Sequence, residues 1–245
     1  MLAVTSPGWD EFRAAFLDGH YFRTSFVDIA IAFKLNIKIF CISEVLILML
    51  ALGIAVLRGL PGPVFFPIRA LAIVYTDVFR GLPTIMVVYM LALGIPALQL
   101  STADWYTSQT NWCIIALTLV YSAYVAEVYR AGIQSVHPSQ EAAARSLGLS
   151  RWQALRHVVL PQAVRRVVPP LLNDFIGLQK DTALVAIAGP VEAFRQAQIA
   201  ESANFNFTPY MGASLLFLLL TIPLARFTDY LIDRDRRRFL ASGGA

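Results

Sequence analysis

Charge is scarce in this sequence. Asp, Glu, Lys and Arg make up 15% of its 245 residues, while 57% are hydrophobic and the mean hydropathy is +0.61. Soluble domains carry about a quarter charged residues and under half apolar ones. A water-facing globular fold is therefore excluded, and the length suits one membrane domain of about five spans with no room for a second, catalytic domain. Cysteine is nearly absent: Cys41 and Cys113 lie inside apolar stretches, form no CxxC or metal pattern, and are expected to pack. The three histidines are scattered without HExxH or HxH, so no metal site is predicted. No GxxxxGK[ST] occurs, so the chain has no cradle for the phosphates of ATP. The net charge is +4, yet no basic, aromatic-interleaved patch accompanies it, and nucleic acid is not expected as a partner. The first thirty residues hold Asp10, Glu11, Arg13, Asp18, His20 and Arg23 without an apolar core, which does not fit a cleavable signal.

What is present is a series of long apolar runs. The first covers 35–57 and stops at Arg58 and the breaker run GLPGP at 59–63. Residues 67–83 mix Arg69, Asp77 and Arg80 with apolar residues, which predicts an amphipathic helix at the interface. Further spans are predicted over 81–98, 112–129, 167–189 and 209–232. The expected fold is an all-α integral membrane protein of about five transmembrane helices, a single domain over 1–245 with 1–34 as an extracytoplasmic N-terminal arm. An odd number of spans puts the termini on opposite sides, and the positive-inside rule chooses between them. With the N-terminus outside, the inner segments 58–80, 130–166 and 233–245 hold three, six and four arginines. The outer segments 98–111 and 190–208 hold none and one, Arg195. In the arm, Arg13, His20, Arg23 and Lys34 are offset by Asp10, Glu11, Asp18 and Asp28. The N-terminus is thus expected outside and the C-terminus in the cytoplasm, with the tail RDRRR (234–238) as a stop-transfer anchor beside anionic membrane lipid.

The stretch 130–166 carries more structure than a connector needs. His137-Pro138-Ser139 opens a helix with proline at its first position. QEAAARSL continues it with good helix formers, and Gly148 stops it where a left-handed cap belongs. Ser150 caps a second helix, RWQALRHVVL, expected to end at Pro161. Two cytoplasmic helices over 137–160 follow. The alanine surface of the first would let another protein's backbone approach closely, and the same pair would also lie flat on a membrane. The pattern alone leaves both readings open.

SQEAAARSLGLSRWQALRHVVLPQAVRRVVPPLLNDF (139–175) resembles the signature loop of ATP-binding-cassette (ABC) importer permeases. That loop has Glu-Ala-Ala, a glycine four residues on and a later Leu-Pro; here Ala143, Ala144, Gly148 and Leu160-Pro161 match it. VFRGLP (78–83), AYVAEVYRAGIQSV (123–136) and LPQAVRRVVPPLLNDFIGLQKDTALVAIAG (160–189) narrow the likeness to the binding-protein-dependent inner-membrane permeases for histidine, glutamate, glutamine, arginine and opines. The resemblance covers about residues 70–205. It departs at one place: Ala142 stands where the signature glutamate belongs, with Glu141 one position earlier. One residue turns a side chain by about 100° on a helix, so the docking role is carried to Ala143, Ala144 and Gly148 and not to Glu141. Ser139, Gln140, Ala142 and Leu147 complete the expected coupling surface. The resemblance implies a multi-pass protein of the bacterial plasma membrane with a coupling helix between spans three and four. It further implies ABC ATPase subunits that hold ATP and Mg, with no cofactor on this chain. A second permease chain, an extracytoplasmic substrate-binding protein, a polar amino acid as substrate and alternating access are implied with them. The chain itself would be no enzyme.

The predicted fourth span is polar, with Asn173, Asp174, Gln179, Lys180, Asp181 and Thr182. Polar groups in a span usually face a protein interior or a water-filled cavity. Asp174 and Asp181 are seven residues apart and share a helical face, as do Asn173 and Lys180. A strip of both charges suits the ammonium and carboxylate of a zwitterion; the competing reading is an ion-pair network holding two permease chains together. With Tyr121 and Tyr124 of the third span, which also read as packing aromatics, the substrate-path candidates are Tyr121, Tyr124, Asn173, Asp174, Lys180, Asp181 and Thr182. Glu127 is expected to pair with Arg130. A membrane-embedded enzyme would need a nucleophile–base pair or metal cluster that the sequence lacks, and a passive channel would not need the docking loop. A permease for another small zwitterion or cation fits the same features.

Overall fold

In the computed structural model, which describes residues 7–241, the predicted apolar runs are helical apart from a break at Leu82 and Pro83. Helix α1 (Pro7–Phe16) is followed after two residues by α2 (Gly19–Arg58). The arm expected over 1–34 is therefore helical from Pro7 on, and α2 begins at Gly19 rather than at residue 35. Its 40 residues span about 60 Å at ~1.5 Å per residue, twice the ~30 Å of a hydrocarbon layer. Arg23, Asp28 and Lys34 keep its first half out of a hydropathy window without opposing helix. Residues 1–6 and 242–245, and the side chains of Asp235, Arg236 and Arg238 in the basic tail, lie outside the described residues.

Helices α3 (Phe66–Gly81) and α4 (Thr84–Ala97) meet at a bend of 103°. Leu82, directly before Pro83, is extended (φ −92°, ψ 137°), as the clash with a following proline ring demands. A π turn, Met90–Gly94, lies within α4. Then come the short α5 (Asp104–Thr107), α6 (Gln109–Gln134), α7 (Pro138–Ser146) and α8 (Arg151–Ala154). Helix α8 runs through a π turn, Leu155–Val159, into α9 (Leu160–Asp181), which continues as a 3₁₀ turn, Thr182–Ala188. Helices α10 (Ala193–Asn204) and α11 (Thr208–Ala241) complete the chain. Pro161 does not end the second loop helix as expected. A proline leaves the carbonyl four residues back without its usual donor, here that of His157, and the wider π turn occupies that place. Pro169 and Pro170 likewise lie inside α9.

Among the described residues, three helical segments are long and apolar enough to cross a membrane: Gly8–Arg58, Gln109–Gln134 and Thr208–Arg234. The bent α3–α4 pair makes a fourth if it counts as one span. Helix α9 is not among them, because Arg165, Arg166, Asp174, Lys180 and Asp181 interrupt its apolar face.

The chain divides into two compact units. The first comprises the residues up to Ser43, Ile85–Ala116 and Leu178–Pro223; the second comprises Glu44–Thr84, Leu117–Gly177 and the residues from Leu224. In the first, Ile29, Ala193, Ala197 and Ala213 pack with Phe33, Tyr210 and Phe217. Helix α1 is pinned there by Phe207 N, which donates to Ala15 O at 2.8 Å, and by Asn206 Nδ2, which donates to Ala14 O at 2.7 Å. In the second, α6 and α9 touch at Gly132, where a Cβ would lie 2.0 Å from Val167 Cγ2. Only glycine permits that approach. Val136, Val159 and Ala163 form the adjoining core. Cys113 is buried, as a packing residue should be, whereas Cys41 lies on an exposed face of α2 and does not pack.

Candidate functional site

Local signals build α7 and its corner. His137 is extended, and its Nδ1 accepts from Ser139 N at 3.2 Å, while Pro138 at the first position needs no partner. At the other end Gly148 has φ +90°, closed to residues with a Cβ except at a cost, and Leu149 N returns to Ala144 O at 3.3 Å. Ser150 and Gln153 then exchange hydrogen bonds, Gln153 N to Ser150 Oγ at 3.3 Å and Ser150 N to Gln153 Oε1 at 2.9 Å, a reciprocal cap that starts α8. Of the coupling candidates, Ser139, Gln140, Ala142, Ala143, Leu147 and Gly148 are exposed. Leu147 is 83% exposed, a large apolar side chain with no cover in this chain. Ala144 is buried and packs beneath the helix instead of joining the outer surface. An open notch of about 610 Å³ runs past Ala142, Arg145, Ser146, Gly148, Ser150 and Gln153. Glu141 lies 3.9 Å from Arg151 in a solvated pair within the loop.

Also in the second unit, Glu127 stands among three arginines. Arg130 donates to its Oε2 from Nε at 2.9 Å and Nη2 at 2.6 Å. Arg58, at the end of α2, donates from Nη1 to Glu127 Oε1 and to Thr76 Oγ1, the latter at 2.9 Å. Arg80 stands 3.8 Å from the same Oε1. The expected Arg130 partner is there; Arg58 and Arg80 are additions, and one carboxylate ties α2, α3 and α6. Tyr124 donates to Arg80 O at 3.3 Å and carries the Arg80 guanidinium over its ring at 5.8 Å. Tyr121 lies 6.2 Å from Tyr124 between ring centres and packs on Gly177, where a Cβ would come within 3.2 Å of its hydroxyl. Asn173 is exposed, and Asp174 is half-buried with Oδ2 enclosed and unpartnered.

The remaining candidates fall in the first unit. Lys180 is exposed and lines a cavity of about 750 Å³ walled by Phe194, Phe207, Tyr210 and Phe217, with Thr221 at its edge. Asp181 is half-buried. Thr182 is fully buried: its hydroxyl donates to Gln179 O at 2.7 Å and accepts from Asn36 Nδ2 at 3.2 Å. Asn36 Nδ2 also donates to Glu192 Oε2 at 2.8 Å, and Ala193 N donates to Asn36 Oδ1 at 3.1 Å. Glu192 caps α10, accepting from Phe194 N at 2.9 Å and Arg195 N at 2.8 Å. Burial pushes the Glu192 carboxyl above the usual carboxylate range, and the Phe194 amide, Asn36 and the Arg195 amide pull it part of the way back. With Asn36 1% exposed and Thr182 and Glu192 at 0%, this network is closed, and Thr182 presents no face to a solute. Sequence reading passes over Asn36 and Glu192, though each leaves a trace: a lone amide in an apolar run, and an acid directly before the helical run AFRQAQ.

Comparison with known proteins adds independent findings. The profile of the family described as "Binding-protein-dependent transport system inner membrane component" matches residues 62–237. The chain is 35% identical to the "Probable glutamine ABC transporter permease protein GlnM" of Bacillus subtilis (strain 168) over 78% of this chain and 85% of that one. It is 32% identical to the "Glutamine transport system permease protein GlnP" of Escherichia coli (strain K12) over 68% and 74%. Among solved structures, a crystal structure of an amino acid ABC transporter with histidines superposes with a TM-score of 0.76 at 29% identity, covering 89% of this chain and 98% of that one.

Proposed function

The chain belongs to the family of binding-protein-dependent transport system inner membrane components, and from that premise we propose that it is the membrane-spanning permease subunit of an ABC importer for a polar amino acid. The names of the glutamine permeases and the transporter solved with histidines support this substrate class. The protein is a multi-pass component of the plasma membrane and not an enzyme; ATP is hydrolysed on a separate ATPase subunit. To the spans of α2, the bent α3–α4 pair, α6 and α11 the proposal adds α9 with its 3₁₀ extension, charged as it is, as a fifth crossing. The N-terminus lies outside and the C-terminus in the cytoplasm, supported by the arginine asymmetry of the connecting segments.

The observation that carries the reading is the exposed surface of α7: Ala142, Ala143 and Leu147 beside the left-handed corner at Gly148. A helix of small residues with one projecting leucine seats in a groove of a partner, here the ATPase. Helix α8, the π turn and α9 follow without a break, so a push on α7 reaches a membrane helix through continuous backbone and shifts the chain between outward- and inward-open states. A second permease chain, identical or related, completes the path, and an extracytoplasmic binding protein delivers the solute. Lys180 and Asp181 in the first unit, and separately Asn173, Asp174, Tyr121 and Tyr124 in the second, are the proposed substrate-path residues.

Ala143→Asp tests the coupling in the complex in proteoliposomes. The added carboxylate enters a close contact, so the complex inserts but loses uptake and substrate-stimulated ATP hydrolysis. Normal stimulated hydrolysis in the variant would overturn docking at α7. Uptake of labelled glutamine, histidine and arginine, with unlabelled competitors, tests the substrate class; uptake that no polar amino acid competes would overturn it.

A further inference from the structure

The segment 151–166 contains a second depression unlike the notch beside α7. It is an apolar groove of about 300 Å³ lined by Ile133, Trp152, Leu155, Arg156, Val159 and Leu160. Trp152 is 66% exposed, Ile133 48%, Leu160 47% and Leu155 39%. The π turn Leu155–Val159 contributes three of the lining residues, and such single-turn bulges often lie at functional sites. Groove and notch share no lining residue, so a protein seated on α7 need not cover the groove. Arg156 is the charged residue of its lining; the segment 151–166 around it also holds Arg151, Arg165 and Arg166 and no Asp or Glu, with Arg151 turned toward Glu141 at 3.9 Å and Arg166 donating to Ser135 O. On the topology proposed above, in which α9 crosses the membrane, the segment that leads into it lies at the membrane–water boundary, where tryptophan concentrates and arginine extends its charge past an apolar stem.

We propose that this groove is a binding site for an anionic phospholipid, with an acyl chain against Trp152, Leu155 and Leu160 and the phosphate on Arg156. An apolar slot with an arginine in its lining is complementary to that molecule; a zwitterionic lipid would bring an ammonium toward the same arginine. Basic pockets beside membrane helices on the cytoplasmic side bind anionic head groups by this chemistry. The loop then does two jobs: α7 meets protein, and the π turn meets lipid.

The test uses the full chain in vesicles of mixed phosphatidylglycerol and phosphatidylcholine, with Trp9→Phe, Trp105→Phe and Trp112→Phe so that Trp152 is the sole reporter. Acyl chains brominated on one lipid at a time quench Trp152 according to occupancy. The expected result is a preference for phosphatidylglycerol of about fivefold, the equivalent of the ~1 kcal/mol one arginine contributes near an anionic surface, removed by Arg156→Gln. Equal quenching by both lipids, or a preference that survives Arg156→Gln, overturns the proposal. If the tryptophan replacements prevent folding, a photo-crosslinking benzophenone side chain at Ile133, in native membranes with the complex assembled, gives the same decision. An adduct with an anionic phospholipid supports the site; an adduct with a protein subunit or with zwitterionic lipid alone overturns it. Both readouts are of binding and stand whether or not the chain imports an amino acid.

Discussion

Removing the carboxylate at Glu127 should destabilise the second unit more than any other single change to its charged groups. The side chains of Arg58 and Glu127 are 11% and 15% exposed, so their pair lies close to the buried regime, where losing one member costs about 3–5 kcal/mol. Arg80 and Arg130, at 43% and 38%, are wetter and add about 0–1 kcal/mol each. Arg58 keeps Thr76 as a second acceptor, which places the cost of Glu127→Gln near the lower limit, about 3 kcal/mol. For a chain of this size 1 kcal/mol moves the melting temperature by about 2–4 °C, so the expected drop is about 6–12 °C. The assay heats the detergent-solubilised chain and follows the monodisperse fraction by size exclusion. Arg58→Gln alone should also destabilise, but the double variant should lose less than the sum, with a coupling of about 1–3 kcal/mol. A melting temperature for Glu127→Gln within about 1 °C of the parent, or strict additivity in the double variant, would refute the reasoning.

Gly132→Ala places a methyl 2.0 Å from Val167 Cγ2 and should cost about 1–3 kcal/mol by overpacking; adding Val167→Ala should recover part of the loss in the same melt. Glu192→Ala removes the α10 cap, about 0.5–2 kcal/mol, and leaves one donor hydrogen of the buried Asn36 amide without its acceptor, about 1–3 kcal/mol, while the bonds to Thr182 and Ala193 remain. Hydrogen exchange at the Phe194 and Arg195 amides should accelerate, and unchanged protection there would count against the capping role. For orientation, with Cys41 and Cys113 replaced, a cysteine at exposed Thr107 should react with an impermeant reagent added to intact cells. One at exposed Ser150 should react only after the membrane is opened, and the reverse pattern would overturn the N-out arrangement.

Much of this protein was determined locally. The apolar runs set which segments are helical, because hydropathy and helix hydrogen bonding are decided within a turn or a span of the same chain. Pro138, Gly148 and Ser150 set the corner between α7 and α8 for the same reason: each acts through a backbone angle or a cap within four residues. Where other forces entered, local reading stopped short. Pro161 reads as a terminator, but a π turn carried the helix past it, and the charges of α2 hid a helix that begins at Gly19. Ala144 shares its run with Ala142 and Ala143, and only packing turned it inward. The polar groups show the division most clearly. Arg58 meets Glu127 across 69 residues of sequence and Asn36 meets Glu192 across 156, separations at which no periodicity or motif relates one residue to the other. A buried carboxylate must find donors, and the sequence shows that the need exists. Which donors supply it was decided only when helices distant in the chain packed together, because burial and hydrogen-bond geometry belong to the folded arrangement and not to any segment alone.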